Sequence, residues 1–213
     1  MTQNRSSAVM QQRVEPHDSL DDFPTPPWAT RALCEWIKDR SLPPINCLSC
    51  REPAANRGHM VRPLREYFDI VFGSDVHDYG AGFPVRDYLF GPRPKNTDWT
   101  ITNPPFRLAE QFIERALQCS TGIAVIVRSA FLEGVGRHDR LFSKMPPTDI
   151  LQFTERVVMH KGRLSAKGST ATAYCWLVWQ GAIGAPRFHW IPPCRKRLER
   201  VEDYDDARQE VMF

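Results

Sequence analysis

The chain has 213 residues, a formal net charge of +3 and 42% hydrophobic residues, the composition of an ordinary soluble globular protein with one domain and a substantial core. It has no apolar run near the roughly 18 residues that a membrane helix needs and no signal-peptide pattern, so it reads as cytoplasmic, without a membrane partner. The charge is too small to announce nucleic acid by itself.

Residues 1–20 are polar and lack periodicity, which predicts a mobile tail. The expected division is that tail, one domain over residues 21–185 and a C-terminal extension over 186–213. Thr25-Pro26-Pro27-Trp28 reads as a helix start, with threonine at the cap and proline in the first turn. Trp28, Ala32, Leu33, Trp36 and Ile37 then share one helical face, to about Arg40. A strand over Asn46 to Arg51 leads into the turn Glu52-Pro53-Ala54-Ala55-Asn56-Arg57-Gly58 and a helix over about His59 to Phe68. Strand, tight turn and helix form a small-molecule cradle, because the turn's N–H groups and the helix N-terminus face the ligand. The strand Ile70 to Ser74 delivers Asp75 about 20 residues after Glu52, a spacing at which an acid reaches a ribose diol. A plain turn or cap role is the alternative for Asp75, and a surface position in an irregular loop is the alternative for Asp87 in Val85-Arg86-Asp87-Tyr88-Leu89. Cys47 and Cys50 form a C-x-x-C pair with no second pair or histidine cluster, so no metal is expected and they read as buried strand residues.

Trp99 to Thr102 is a short buried strand that ends at Asn103-Pro104-Pro105-Phe106. Two prolines cannot extend a central strand, so the turn sits at its carboxyl end, where open α/β sheets bind ligands. The amine of a nucleobase is a poor nucleophile, because its lone pair is delocalised into the ring. Two acceptors aimed at its N–H groups, the Asn103 side-chain oxygen and the Pro104 carbonyl, favour the localised lone pair that the transition state needs. Phe106 can stack on a planar ring.

Downstream, Leu108, Phe112, Ala116 and Leu117 predict an amphipathic helix. Gly122 to Val127 predicts a strand buried on both faces, and a short helix follows around Arg137 to Lys144. Ile150 to Val157 and Ala171 to Trp179 predict two more strands, giving a doubly wound α/β fold. Between them, residues 159–170 make a loop longer than a hairpin needs, with Lys161, Arg163 and Lys167 and no acid. With Arg128, Arg137, Arg140 and Lys144 it can hold a phosphate backbone; a solvated loop is the alternative. Arg195-Lys196-Arg197 and the acids from Glu202 to Asp206 read equally as a basic patch or a self-neutralised tail.

Asn103-Pro104-Pro105-Phe106 resembles the catalytic motif of S-adenosylmethionine-dependent amino-group methyltransferases, above all the DNA adenine-N6 methyltransferases of small phage and prophage type. Glu52 to Gly58 resembles their Glu-Pro-Ala-x-Gly-x-Gly cofactor motif, departing at Asn56, where glycine is expected; asparagine best tolerates the left-handed backbone such a turn requires. Asp87-Tyr88-Leu89 resembles their Asp-Phe-Leu segment. The resemblance covers about residues 22–180. It implies a class I methyltransferase (Rossmann-like) doubly wound seven-stranded sheet with an antiparallel last strand, and S-adenosyl-L-methionine as cofactor. Thr25, Pro26 and Trp28 would close over the methionine end, Glu52, Pro53, Ala54, Asn56 and Gly58 would cradle the cofactor, and Asp75 would hold the ribose. Asp87 would accept the adenine amine, with Tyr88 beside it and Asn103 at the reacting centre. Arg137, Lys161, Arg163 and Lys167 are the expected nucleic-acid contacts.

The implied reaction is in-line methyl transfer with no covalent intermediate and no metal. The implied substrate is the N6 amine of a flipped adenine in DNA, with short or relaxed sequence preference, since the core leaves no room for a recognition domain. RNA (guanine-N2 or adenine-N6) or protein glutamine methylation stays open, as does a non-catalytic DNA-binding relative. A monomer or weak dimer is expected.

Overall fold

Residues 21–182 and 184–205 are described by the computed structural model; the tail expected over 1–20 lies outside them. The sheet is built on two strands whose side chains are buried on both faces. In β4 (Ser120–Arg128), Ala124 and Ile126 enter one apolar layer while Ile123, Val125 and Val127 enter the other; in β6 (Tyr174–Gln180), Trp176 and Val178 join the first, and Cys175, Leu177 and Trp179 the second. Period-two alternation with apolar residues in both registers forces a layer onto each face.

The other strands are β1 (Ser49–Glu52), β2 (Ile70–Gly73), β3 (Thr97–Thr102), β5 (Asp149–Phe153) and β7 (Arg187–Ile191), and the sheet order is β2-β1-β3-β4-β6-β5-β7. β1 to β4 pair in parallel, β6 runs antiparallel between β4 and β5, and β7 lies parallel to β5 at the edge. This is the expected seven-stranded doubly wound sheet with one antiparallel strand. That strand is sixth in chain order, and the seventh falls in the stretch assigned to the C-terminal extension, so the boundary at residue 186 is corrected: residues 187–191 belong to the sheet.

Helix α1 (Pro27–Lys38) starts with proline at its first position, and its cap residue is Pro26, not Thr25 as expected. It covers one face with α2 (Val61–Leu64) and α5 (Arg195–Leu198). Trp28 is 1% exposed and meets Phe153 edge-on at 5.5 Å. Trp176 is fully buried, and its indole N–H donates to the Ala29 carbonyl at 3.2 Å, which satisfies the polar end of an otherwise apolar side chain. Buried Arg31 ties this layer to the chain's end through Glu66 at 2.8 Å, Asp203 at 2.7 Å and the Leu198 carbonyl at 2.8 Å. On the other face α3 (Ala109–Leu117) packs Ala109, Ile113 and Ala116 beside Phe131 and Leu141.

Several boundaries differ from expectation. Residues 45–47 form a 3₁₀ turn that leaves Cys47 exposed, while Cys50 is buried in β1. The helix expected over 59–68 is the single turn α2, and α4 (Val135–Arg137) passes at once into a wide π turn over His138–Phe142. Among the described residues no helix is long and apolar enough to cross a membrane.

Candidate functional site

β1 lies between β2 and β3, so the chain leaves it in opposite directions and a crevice opens at the carboxyl ends of β1 and β3. Glu52 ends β1 and Thr102 ends β3. The Thr102 hydroxyl donates to Glu52 Oε1 at 2.6 Å, and the Ala54 N–H donates to the same oxygen at 2.9 Å. Glu52 is fully buried, and desolvation pushes its carboxyl up to about 8 against the pull of those two hydrogen bonds. It ties the turn to the neighbouring strand from beneath the crevice.

The turn after Glu52 holds Asn56 at φ 49° and Gly58 at φ 84°. The first is the left-handed conformation that asparagine tolerates; the second needs glycine, since a Cβ there would also stand 3.1 Å from the Phe83 ring. The Asn56 N–H donates to Asp75 Oδ2 at 2.8 Å and the His77 N–H to Asp75 Oδ1 at 3.0 Å. Burial raises the Asp75 carboxyl above its ordinary range, opposed by these N–H donors. Asp87 Oδ1 accepts the N–H groups of Leu89 and Phe90, both at 2.9 Å, which turns the chain so that Tyr88 packs inward on Phe112 at 5.1 Å.

At the end of β3, Asn103 Nδ2 donates to the Phe23 carbonyl at 2.8 Å. A carbonyl only accepts, so this contact assigns the NH₂ to that side and turns Oδ1 to the other. The Phe106 N–H donates to Asp21 Oδ2 at 2.6 Å, and the Phe106 ring has Phe23 at 6.2 Å, Tyr174 at 6.4 Å and the Arg128 guanidinium 4.4 Å above its centre. A cation thus covers one face of the Phe106 ring. Asp22 accepts from Asn56 Nδ2 at 2.7 Å, pairs with Arg57 at 3.0 Å and takes the Gly162 N–H on its carbonyl at 2.8 Å. Residues 21–24 therefore form a strap joining the Asn56 turn, the Asn103 turn and the basic loop.

A cavity that opens to solvent lies under this strap. Thr25, Pro53, Ala54, Asn56, Asp75, Asp87, Tyr88, Asn103 and Pro105 of the expected set line it; Pro26, Trp28, Glu52, Gly58, Pro104 and Phe106 do not. Trp28 is corrected outright: it faces the core, because the apolar stripe of α1 packs on the sheet. The lining also includes Phe23, His59, Met60, Tyr79 and Phe90, which the sequence reading did not single out. His59 and Met60 follow Gly58 directly, which is the signal that was there to use. The buried Thr25 hydroxyl has no hydrogen-bond partner among the described residues.

Among the expected nucleic-acid contacts, Lys161, Arg163 and Lys167 are exposed on the loop. Arg137 is not placed that way. Its guanidinium donates to the carbonyls of Phe131 at 2.8 Å and Glu133 at 2.7 Å and lies 4.0 Å over the Phe131 ring, so it holds its own helix turn. Among the described residues no group of three or more His, Cys, Asp or Glu side chains is arranged to hold a metal ion.

No protein-family model and no curated protein matches the sequence. Solved structures do. A type I restriction-modification methyltransferase subunit from Streptococcus thermophilus aligns over 90% of this chain at 12% identity and TM-score 0.57, and a protein assigned as a type I modification subunit from Vibrio vulnificus over 88% at 15% and 0.57. This chain spans 52% of the length of each. A protein assigned as an RNA methyltransferase from Pyrococcus horikoshii aligns over 83% of this chain and 96% of its own, at 16% identity and TM-score 0.58. At these identities the likeness is one of fold: the sheet is that of the class I methyltransferases.

Proposed function

We propose that this chain is an S-adenosylmethionine-dependent methyltransferase acting on the N6 amine of adenine in DNA. The observation that carries the reading is Asn103. Its amide nitrogen is held by the Phe23 carbonyl, so its oxygen is left to accept, in a cavity that Asp75 also lines. The residues present fit the cofactor. Both Asp75 oxygens accept backbone N–H groups, and a carboxylate, with about four lone-pair sites, can also accept from a ribose hydroxyl. Tyr88, Leu89, Phe90 and Phe112 offer apolar walls for a flat base, with Asp87 beside them, and the unpartnered Thr25 hydroxyl suits the polar methionine end. When bound, the cofactor supplies an activated methyl group.

The chain's part is positioning. Asn103 Oδ1 and the Pro104 carbonyl accept from the target amine and localise its lone pair, and the two prolines keep that pair of acceptors stiff. The strap excludes water from the reacting centre. Lys161, Arg163 and Lys167 hold phosphate. RNA is the second reading, favoured by the Pyrococcus protein, whose length this chain nearly matches. Methyl transfer from radiolabelled cofactor to unmethylated DNA, with RNA and protein extracts in parallel and nucleoside analysis of the product, tests both. N6-methyladenine in DNA is the expected outcome; label only in RNA moves the substrate, and no label from folded protein refutes the enzyme.

A further inference from the structure

Phe188 and Trp190 are 52% and 65% exposed. They are alternate residues of β7 and so share one face, and their rings meet edge to face at 4.8 Å. Gln152 stands opposite Trp190 in the β5–β7 register. The two rings wall a shallow cleft completed by Ser129, Gln152, Thr154 and Arg156. Glu155 also lines it, with its Oε2 engaged by the N–H groups of Cys194 and Arg195 at 2.6 and 2.9 Å, so the cleft presents aromatic faces, hydroxyls, a cation and one hydrogen-bonded carboxylate.

Two neighbours in the chain link this cleft to the Asn103 turn. Arg128, which covers Phe106, is followed by Ser129, whose hydroxyl donates to Gln152 at 2.8 Å. Arg156 donates to the Ala171 carbonyl at 3.3 Å and so bridges the two ends of the loop that carries Lys161, Arg163 and Lys167. From β3 to β7 there are four strand spacings, about 19 Å, which is about five to six nucleotides at the stacked spacing of one strand. Exposed rings beside a cation are the means by which proteins hold single-stranded nucleic acid without reading its sequence, since every base has a π-face.

We propose that the Phe188–Trp190 cleft binds an unstacked base of the nucleic-acid substrate a few nucleotides from the target, with Arg156 on the adjoining phosphate. This rests on the nucleic-acid reading above. Binding of a labelled single-stranded oligonucleotide to the full chain, followed by fluorescence anisotropy without cofactor, tests it. The Phe188→Ala/Trp190→Ala double variant is expected to bind about tenfold more weakly or worse. Arg156→Gln, an exposed and structurally mild change, is expected to weaken binding and lower its salt dependence. Both variants are expected to keep wild-type affinity for S-adenosylmethionine in calorimetry. Oligonucleotide affinity unchanged in the double variant overturns the proposal, as does a wild-type chain that binds no oligonucleotide. Sedimentation showing a wild-type dimer that the double variant dissolves also overturns it and assigns the face to a second copy. If the variants lose oligonucleotide binding while no nucleic acid is methylated, the cleft stands and the enzymatic reading falls.

Discussion

Replacing Glu52 with glutamine tests the junction of β1 and β3 directly. The folded chain holds this carboxyl's proton up to about pH 8, whereas an unfolded chain releases it near about 4.3. Below the lower value both states are protonated and the buried carboxyl's contribution to stability is fully present. As pH rises the unfolded state ionises first, so stability falls through the window, by at most about 1.4 kcal/mol per pH unit. Over the whole window the loss is on the order of 5 kcal/mol as an upper bound. Glutamine keeps an acceptor for the Thr102 hydroxyl and the Ala54 N–H and cannot ionise. Its nitrogen would occupy the place of Glu52 Oε2, which has no partner among the described residues, at a cost of about 1–3 kcal/mol. Urea unfolding of both proteins, followed by tryptophan fluorescence at several pH values, isolates the Glu52 contribution, because the other titrating groups cancel between them. The variant is expected to be no more stable than wild type near about pH 5 and more stable by a few kcal/mol at about pH 9. Parallel pH profiles would refute a buried, proton-holding Glu52.

Asn103→Ala is expected to abolish methyl transfer while leaving cofactor affinity largely intact, read by transfer assay and calorimetry together; near-normal transfer would remove Asn103 from the mechanism. Asp75→Ala is expected to weaken cofactor binding at least about tenfold, because it removes the ribose acceptor and the anchor of the Asn56 turn; unchanged calorimetry would place the ribose elsewhere. Asp203→Ala leaves the buried Arg31 guanidinium with Glu66 and the Leu198 carbonyl and is expected to cost about 3 kcal/mol in urea unfolding. Gly122→Ala puts a Cβ 2.6 Å from the Trp99 ring and is expected to cost about 1–3 kcal/mol. Gly184→Ala, with nothing within 4 Å, serves as its neutral control in the same measurement.

The alternation of buried strands was legible because β4 and β6 are apolar in both registers, a pattern only an interior strand produces. β7 was not: its outward Phe188 and Trp190 are as apolar as its inward Ile191, so the period-two contrast is lost, and Pro192-Pro193 reads as a break. The left-handed turn was legible at Asn56 because few residue types accept that backbone. What asparagine adds there was not legible, since its side chain bonds Asp22, a partner far away in sequence. Trp28 was misread for a related reason: a helical face shows which residues are buried but not whether they meet the sheet or a cavity. The cover over Phe106 was hidden likewise, because Arg128 reaches it only once β4 lies beside β3.

The Arg31–Asp203 pair joins residues 172 positions apart, and β6 is threaded between β4 and β5, both made before it. An emerging chain therefore carries a charged side chain within its first helix that has Glu66 early but lacks Asp203 and the Leu198 carbonyl until nearly the whole sheet exists. Local turns can form early, but the layer under α1 closes only when the last described turn arrives, which puts acquisition of the native state after synthesis of residue 203. Until then the apolar sides of the central strands lack their cover, so for this protein the interval between translation and closure is when aggregation competes with folding.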